Sequence, residues 1–367
     1  MTTVAPPTTA PAGPYAALRA QARCAPQGEA LRSRRRGQWR AWSWQRLAAQ
    51  AELAARGWTA LGVLPGDRII ALGPLGADLI VTLFAADALG ATVVLPHADV
   101  QAQVVGEARF AFADGTHELE RLLRHRGSTL RAAVVADAAV VPASGQLDQV
   151  QLISTAQLFT AGRNHSALSA SANTDRPPIA VAVDHDGTEH TPGAHESTAP
   201  DLSLADRVFA DFDPTWLVGV DFILHAWPVS APLLLIPEPH GDAVADQRDA
   251  RANIWLASPE RLAAAVAALM ARLASQGLGA RVARALLEGR RSVLGGLARW
   301  RIRAGMGLSA TRHTISNARV AEATAKCFAA LGIAPHTAEP AAVAARNVAA
   351  GPDTTGRAFD RTLVTAP

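Results

Sequence analysis

Three consecutive segments constrain the fold more than anything else in the chain. They are an apolar strand-like run at residues 68–72, an apolar helical run at 77–89 stopped by Gly90, and a second buried strand at 92–96. Short β-rich runs alternating with helices call for an α/β sheet with helices packed on both faces. The alternation extends in both directions. Ser43 is placed to cap a helix in which Leu47, Ala51, Ala54, Trp58 and Leu61 recur at helical spacing, and Gly62 ends it. Strands are expected at 108–113 and 132–136, with a helix at 117–126. Residues 142–178 are expected to form a loop-rich connector with one short helix at 156–161. Beyond it, strands are expected at 179–183, 206–212, 232–237, 253–258 and 312–316. Helices are expected at 217–227, 259–274 and 320–331, with a basic helical region at 280–303.

Composition excludes several classes. Of 367 residues, 49% are hydrophobic and 18% charged, which fits a globular protein with a large core. The net charge of +3 is too small to argue for a nucleic-acid partner. Cys24 and Cys327 offer neither a disulfide framework nor a CxxC site; both are read as small buried hydrophobes, with a reducing cytoplasm as the default. Residues 1–15 are uncharged and rich in Thr and Pro, and are expected to be a disordered leader rather than a signal peptide. The longest apolar stretch, 79–95, is broken by Asp87 and Gly90 before it reaches the length of a membrane span. Among 35 basic side chains only Lys326 is a lysine, so chemistry that needs a lysine has one candidate.

The oddest segment is 184–197, DHDGTEHTPGAHES. It follows an expected strand, where a phosphate-cradling loop would stand. His185, His190 and His195 recur among Asp184, Asp186, Glu189 and Glu196, but their spacing matches neither a helix face nor a strand face. A solvated polar loop is favoured over a metal site. No GxSxG elbow accompanies Ser197 or Ser316, which argues against a serine hydrolase.

Residues 39–96, WRAWSWQRLAAQ through GATVVLP, resemble the opening of the AMP-dependent synthetases, the adenylate-forming superfamily, and most of all its long-chain fatty acyl-CoA ligases. GEARFAFADGTHELERLL, ASPERLAAAV and ISNARVAEATAKCFAALGIAP are similar to later family segments in the same order. The likeness spans Arg36 to Arg361. It implies the family's N-terminal domain, two mixed β-sheets flanked by helices in αβαβα layers. The expected division is a first subdomain at 16–178, a second at 179–340 and an irregular tail at 341–367, without the family's C-terminal lid and its catalytic lysine. It also implies an ATP site, which this chain fills badly. Against the pattern TSGTTGxPKG stand Asp186, Gly187, Thr188, Glu189, His190, Thr191, Pro192 and Gly193. Glu189 replaces the second threonine, His190 replaces a glycine, and the lysine is deleted. A carboxylate about 4 Å from a phosphate oxygen costs about 1 kcal/mol in bulk water and several times that in a partly dry site.

The family's YGxTE motif stacks adenine and holds magnesium. Here Glu339 and Pro340 stand for its YG, and Ala342 and Val343 for its TE. Neither ATP nor Mg is therefore expected to bind, and no catalytic residue is assigned. The resemblance places Trp216, Gly219, Phe222 and Ser316 near an acyl tunnel; Trp216, Trp227 and Trp255 are otherwise simple core residues. Arg290, Arg291, Arg299, Arg301 and Arg303 surround Trp300. A solvated helix face is the simplest account, and contact with membrane headgroups or CoA phosphates the sharper one. Three functions follow. One is a pseudoenzyme that keeps an acyl or acyl-CoA pocket or a protein-binding surface. The second is a fatty acid–CoA ligase completed by a partner subunit. The third is a structural subunit that associates with a protein partner or with itself.

Overall fold

A computed structural model of the chain describes residues 13–97, 101–142, 145–147, 149–165, 179–184, 186–191, 202–239, 241–274, 294–317 and 320–337. The first half comprises α1 (Pro14–Cys24), β1 (Glu29–Arg35), β2 (Gln38–Ser43), α2 (Trp44–Ala60), β3 (Arg68–Leu72), α3 (Ala77–Leu89), β4 (Thr92–Pro96), α4 (Gln101–Gly106), β5 (Phe110–Ala113), α5 (Thr116–His125) and β6 (Ala132–Val135). Next come β7 (Gln146–Leu147), β8 (Val150–Ser154), α6 (Thr155–Asn164), β9 (Ala180–Val183) and β10 (Glu189–His190). The second half runs through β11 (Arg207–Asp211), α7 (Leu217–Asp221), a π-helical turn (Phe222–Ala226), α8 (Trp227–Ser230), β12 (Leu233–Ile236), α9 (Ala243–Ala250), β13 (Ile254–Ala257), α10 (Pro259–Ala274), α11 (Leu294–Gly305), β14 (His313–Ser316), α12 (Glu322–Ala330) and β15 (Ala334–Thr337).

The strands form two sheets, ordered β15-β14-β13-β11-β12-β1-β2 and β10-β9-β4-β3-β5-β6-β8-β7. Neighbours are parallel except for the antiparallel pairs β1–β2, β7–β8 and β9–β10. Strand alternation then builds the layers. Ile69, Val93, Phe110, Phe112 and Val134 of one sheet join Val208, Leu234, Ile254 and Leu256 of the other in a shared core, with α2, α3 and α8 between them. The odd-out residues Ile70, Leu72, Val94 and Val135 face α4 and α5 on one outer side. Phe209, Leu235 and Trp255 face α10 and α12 on the other. This is the expected αβαβα stack.

Capping is local and legible. Ser43 Oγ accepts the Arg46 amide at 3.2 Å, and Ser154 and Gln157 make a reciprocal capping box on α6. Asp87 is not a surface break in an apolar run. It is 3% exposed on α3, and its carboxylate accepts the Tyr15 amide at 2.7 Å, capping α1 from across the core.

The structure departs from the sequence expectations in places. Helix α1 starts at Pro14, inside the stretch assigned to the leader. The connector at 142–178 contains the strand β8, whose alternation covers only five residues. β1, β2 and α9 carried too few apolar residues to announce themselves. The helix expected to end at Trp227 runs to Ser230, with the π-turn placed just before Pro228, which has no N–H to donate. The sheets do not part at residue 178: β1 and β2 sit in the sheet of the second half, and β9 and β10 in that of the first.

Phe84 is fully buried on α3, with its ring centroid 6.4 Å from that of Trp227. Phe84→Ala is expected to lower the unfolding free energy by about 3–5 kcal/mol in urea titrations, because a cavity in the shared core cannot collapse from either sheet.

Candidate functional site

The crossovers define where a ligand can sit. From β3 the chain crosses by α3 on the inner side to β4, then by α4 on the outer side to β5, which lies on the opposite flank of β3. In the other sheet β11, α7–α8, β12, α9 and β13 repeat this plan. Each sheet thus has a topological switch point, and crevices at the carboxyl ends of such strands are where open α/β sheets bind ligands. Here the two switch points face one cleft of about 380 Å³. Its walls are the ends of β3 (Leu72, Gly73), β4 (Pro96, His97), β11 (Asp211, Phe212, Asp213) and β12 (Pro237, Glu238), with Glu118, Arg121 and Arg261 at the rim.

Four carboxylates and two guanidiniums line this cleft, so its lining carries an acidic excess. Asp211 is buried, and desolvation pushes its carboxyl above the usual range, with Arg261 pulling it back from 3.6 Å. Asp213 is occupied locally, accepting the Thr215 amide at 2.9 Å and its hydroxyl at 2.6 Å. Glu238 accepts the amides of Arg36 and Gly37 and so ties the β1–β2 turn to the cleft edge. Beside it, Arg35 bridges the two sheets, pairing with Asp114 beyond β5 and lying 3.8 Å from Asp78 at the start of α3.

The loop after β9 folds into a hairpin closed on itself. Asp184 Oδ1 accepts the amides of Asp186 and Thr188, each at 2.9 Å, and Oδ2 lies 2.7 Å from His190 Nε2. The Gly187 amide donates to the Asp184 carbonyl at 3.1 Å, and its φ of +77° makes the turn one that favours glycine. Glu189 pairs with Val183 through the backbone and with Arg68 through its side chain. The hydrogen bond from His190 and the two amides hold the Asp184 carboxyl below its ordinary range. A carboxylate of the chain therefore takes the amides of Asp186 and Thr188 in this turn. His185, Pro192, Gly193, His195 and Glu196 lie outside the described residues, as do Glu339, Pro340, Ala342 and Val343. Among the described residues no group of three or more His, Cys, Asp or Glu gathers at metal-binding distance. None of the described helices is long and apolar enough to cross a membrane.

The residues assigned to an acyl tunnel are placed but not brought together around the cleft. Trp216 stacks edge-on against Phe212 with centroids 5.2 Å apart. The Phe212 ring fills the space where a side chain at Gly219 would point, 2.5 Å from an added Cβ. Phe222 is buried in the shared core. Ser316, at the end of β14, is 2% exposed, and neither its hydroxyl nor the Trp216 indole N–H makes a hydrogen bond. Sequence reasoning missed Asp211, Asp213, Glu238 and Arg261. The signals were the cluster DFDP after an apolar strand and the arginine in ASPER. Lys326 lies on α12, paired with Glu322 at 2.5 Å and exposed.

Two measurements test this geometry. Asp184→Ala is expected to speed hydrogen exchange at the Asp186 and Thr188 amides about tenfold or more, because a charge-assisted acceptor is lost; unchanged rates would refute the clasp. Burial pushes Asp78 up to about 6, with Arg35 lowering it and Asp114 raising it. Its folded value exceeds the unfolded one of about 3.9, so its cost is absent below about pH 4 and grows as pH rises to about 6. Asp78→Asn is expected to stabilise the fold by up to about 3 kcal/mol at pH 7 and to be neutral near pH 4 in urea melts.

Comparison with known proteins agrees with this architecture. The family model "AMP-binding enzyme" matches residues 18–192. No curated protein matches the sequence. Among solved structures, the adenylation domain of the carboxylate reductase from Mycobacterium chelonae is similar with a TM-score of 0.71 at 13% identity, over 91% of this chain and 58% of that one. The corresponding domain from Segniliparus rugosus, solved with AMP and a co-purified carboxylic acid, gives 0.68 at 14%, over 89% and 60%. The N-terminal domain of FACL13 from Mycobacterium tuberculosis gives 0.55 at 19%, over 88% and 74%. The chain thus spans under two thirds of the length of the carboxylate reductase domains. Residues 18–192 thus match the AMP-binding enzyme family model, and the described residues on either side complete the two-sheet fold seen in these adenylation domains.

Proposed function

We propose that this chain is an acyl-CoA synthetase-like protein that has lost adenylation and works as a binding protein, for an acyl or acyl-CoA ligand or for a protein partner. The observation that carries this is the Asp184 clasp: the loop amides are taken by an internal carboxylate that His190 holds ionised. Displacing it with a phosphate would bring two anions to one set of donors. The acidic excess of the cleft works in the same direction. A retained ligand would occupy the cleft between the two switch points.

Calorimetry with ATP and magnesium is expected to show no binding, and pyrophosphate exchange with fatty acids no turnover. Micromolar, magnesium-dependent ATP binding would overturn the reading and restore a ligase completed by a partner. Native mass spectrometry of the gently purified protein is expected to show a retained small acid or thioester; a chain carrying only protein partners would instead make it an assembly subunit.

A further inference from the structure

At the β15 end of the seven-stranded sheet two histidines come together. β14 and β15 run parallel, with His313 opposite Ala334 and Ile315 opposite His336. Residues two apart on a strand share a face. Both imidazoles therefore stand on the side of the sheet that carries Ile254 and Ile315 into the shared core. His313 Nδ1 lies 2.9 Å from His336 Nε2, with the ring centroids 5.0 Å apart and the planes inclined at 51°. Both residues are half-buried.

The backbone under this pair is fixed. His313 is in register with Ile254 of β13 on one flank and with Ala334 of β15 on the other. Just before β13, the Asn253 carbonyl accepts the amides of Arg312 at 2.7 Å and His313 at 3.2 Å. The Asn253 side chain is held in turn, donating to Asp206 at 2.6 Å and accepting the Arg207 amide at 2.7 Å. β15 itself adds little apolar burial, since Ala334, Pro335 and Thr337 are exposed. The imidazole contact is thus a side-chain link between β15 and the rest of the sheet.

We infer that His313 and His336 chelate one divalent late transition ion, Cu(II) or Ni(II), and that the ion clips β15 to β14. Imidazole nitrogen binds such ions, and its bond to zinc is about 2.0–2.1 Å long. Two bonds of that length at a right angle put the nitrogens about 2.9 Å apart, whereas a tetrahedral angle spreads them to about 3.3 Å. The observed 2.9 Å is the right-angle value, which suits the tetragonal ions Cu(II) and Ni(II) better than tetrahedral Zn(II). Without metal, one ring donates its N–H to the other. On binding, the donor ring moves that proton to its other nitrogen, so both facing nitrogens offer lone pairs and no proton is lost. Water completes the coordination. The strands hold both rings in range before the ion arrives, so little ordering entropy is spent. This inference is independent of the loop after β9 and of the cleft.

The test is calorimetric titration of the untagged full chain with Cu(II), Ni(II) and Zn(II) salts. Cu(II) and Ni(II) are expected to bind with Kd of about 1–10 μM, and Zn(II) more weakly. H313N and H336N are each expected to weaken Ni(II) binding about tenfold or more, with circular dichroism showing both variants folded. Ni(II) is also expected to slow hydrogen exchange at the His336 and Thr337 amides about tenfold, because binding to the folded state alone opposes opening of the edge strand. Unchanged affinity in both variants would overturn the proposal by assigning the ion to other histidines. Zn(II) binding more tightly than Ni(II) would overturn it too, as would exchange in β15 that metal leaves unchanged. Should a variant misfold, the metal series and the exchange rates of the unaltered chain decide alone.

Discussion

The structure depends on the complete burial of α3. Eleven of its thirteen residues are buried, and they point in all directions around its axis. A helix that is apolar all round has to be enclosed on every side, and one sheet covers only one face. The second sheet, together with α2 and α8, supplies the rest, so the five layers follow from the need to enclose this segment. The carboxylate buried near its end, Asp87, is tolerated because it caps α1. The same helix begins at the junction where Arg35 links the two sheets beside the cleft. The element that organises the core therefore also fixes the distance between the two switch points.

That arrangement separates two things that a family likeness would merge. The cleft is a property of topology: any pair of sheets with these crossovers has crevices at the ends of β3–β4 and β11–β12. Nucleotide chemistry is a property of the side chains and amides presented there. In this chain the fold is retained while Asp184 engages the loop amides and acidic groups outnumber basic ones in the cleft. Fold and chemistry are under different constraints. The first is held by hundreds of square ångströms of apolar contact, the second by a few hydrogen bonds that single substitutions redirect.

Legibility in the sequence followed the range of the interactions. β3, α3, β4 and α10 were bounded to the residue because a local period, a glycine stop or a proline start marks each of them. β1 could not be found that way. Its sequence EALRSRR has few apolar residues, and it is a strand because it pairs in parallel with β12, about two hundred positions later. The antiparallel return of β10 onto β9 is similarly short and polar. At the site, the substitutions Glu189 and His190 were visible as departures from a pattern. The role of Asp184 was not, since its effect lies in which amides its two oxygens reach.

By itself the sequence determined the secondary elements that a period, cap or glycine stop marks, the α/β class and the acidic character of residues 184–189, because period, caps and residue charge are local properties. Only the tertiary structure decided which strands share a sheet, that the two switch points open on one cleft, that Phe212 occupies the space beside Gly219, and that Asp184 takes the amides of Asp186 and Thr188. Each of these is a contact between segments whose separation in the chain carries no information about their separation in space.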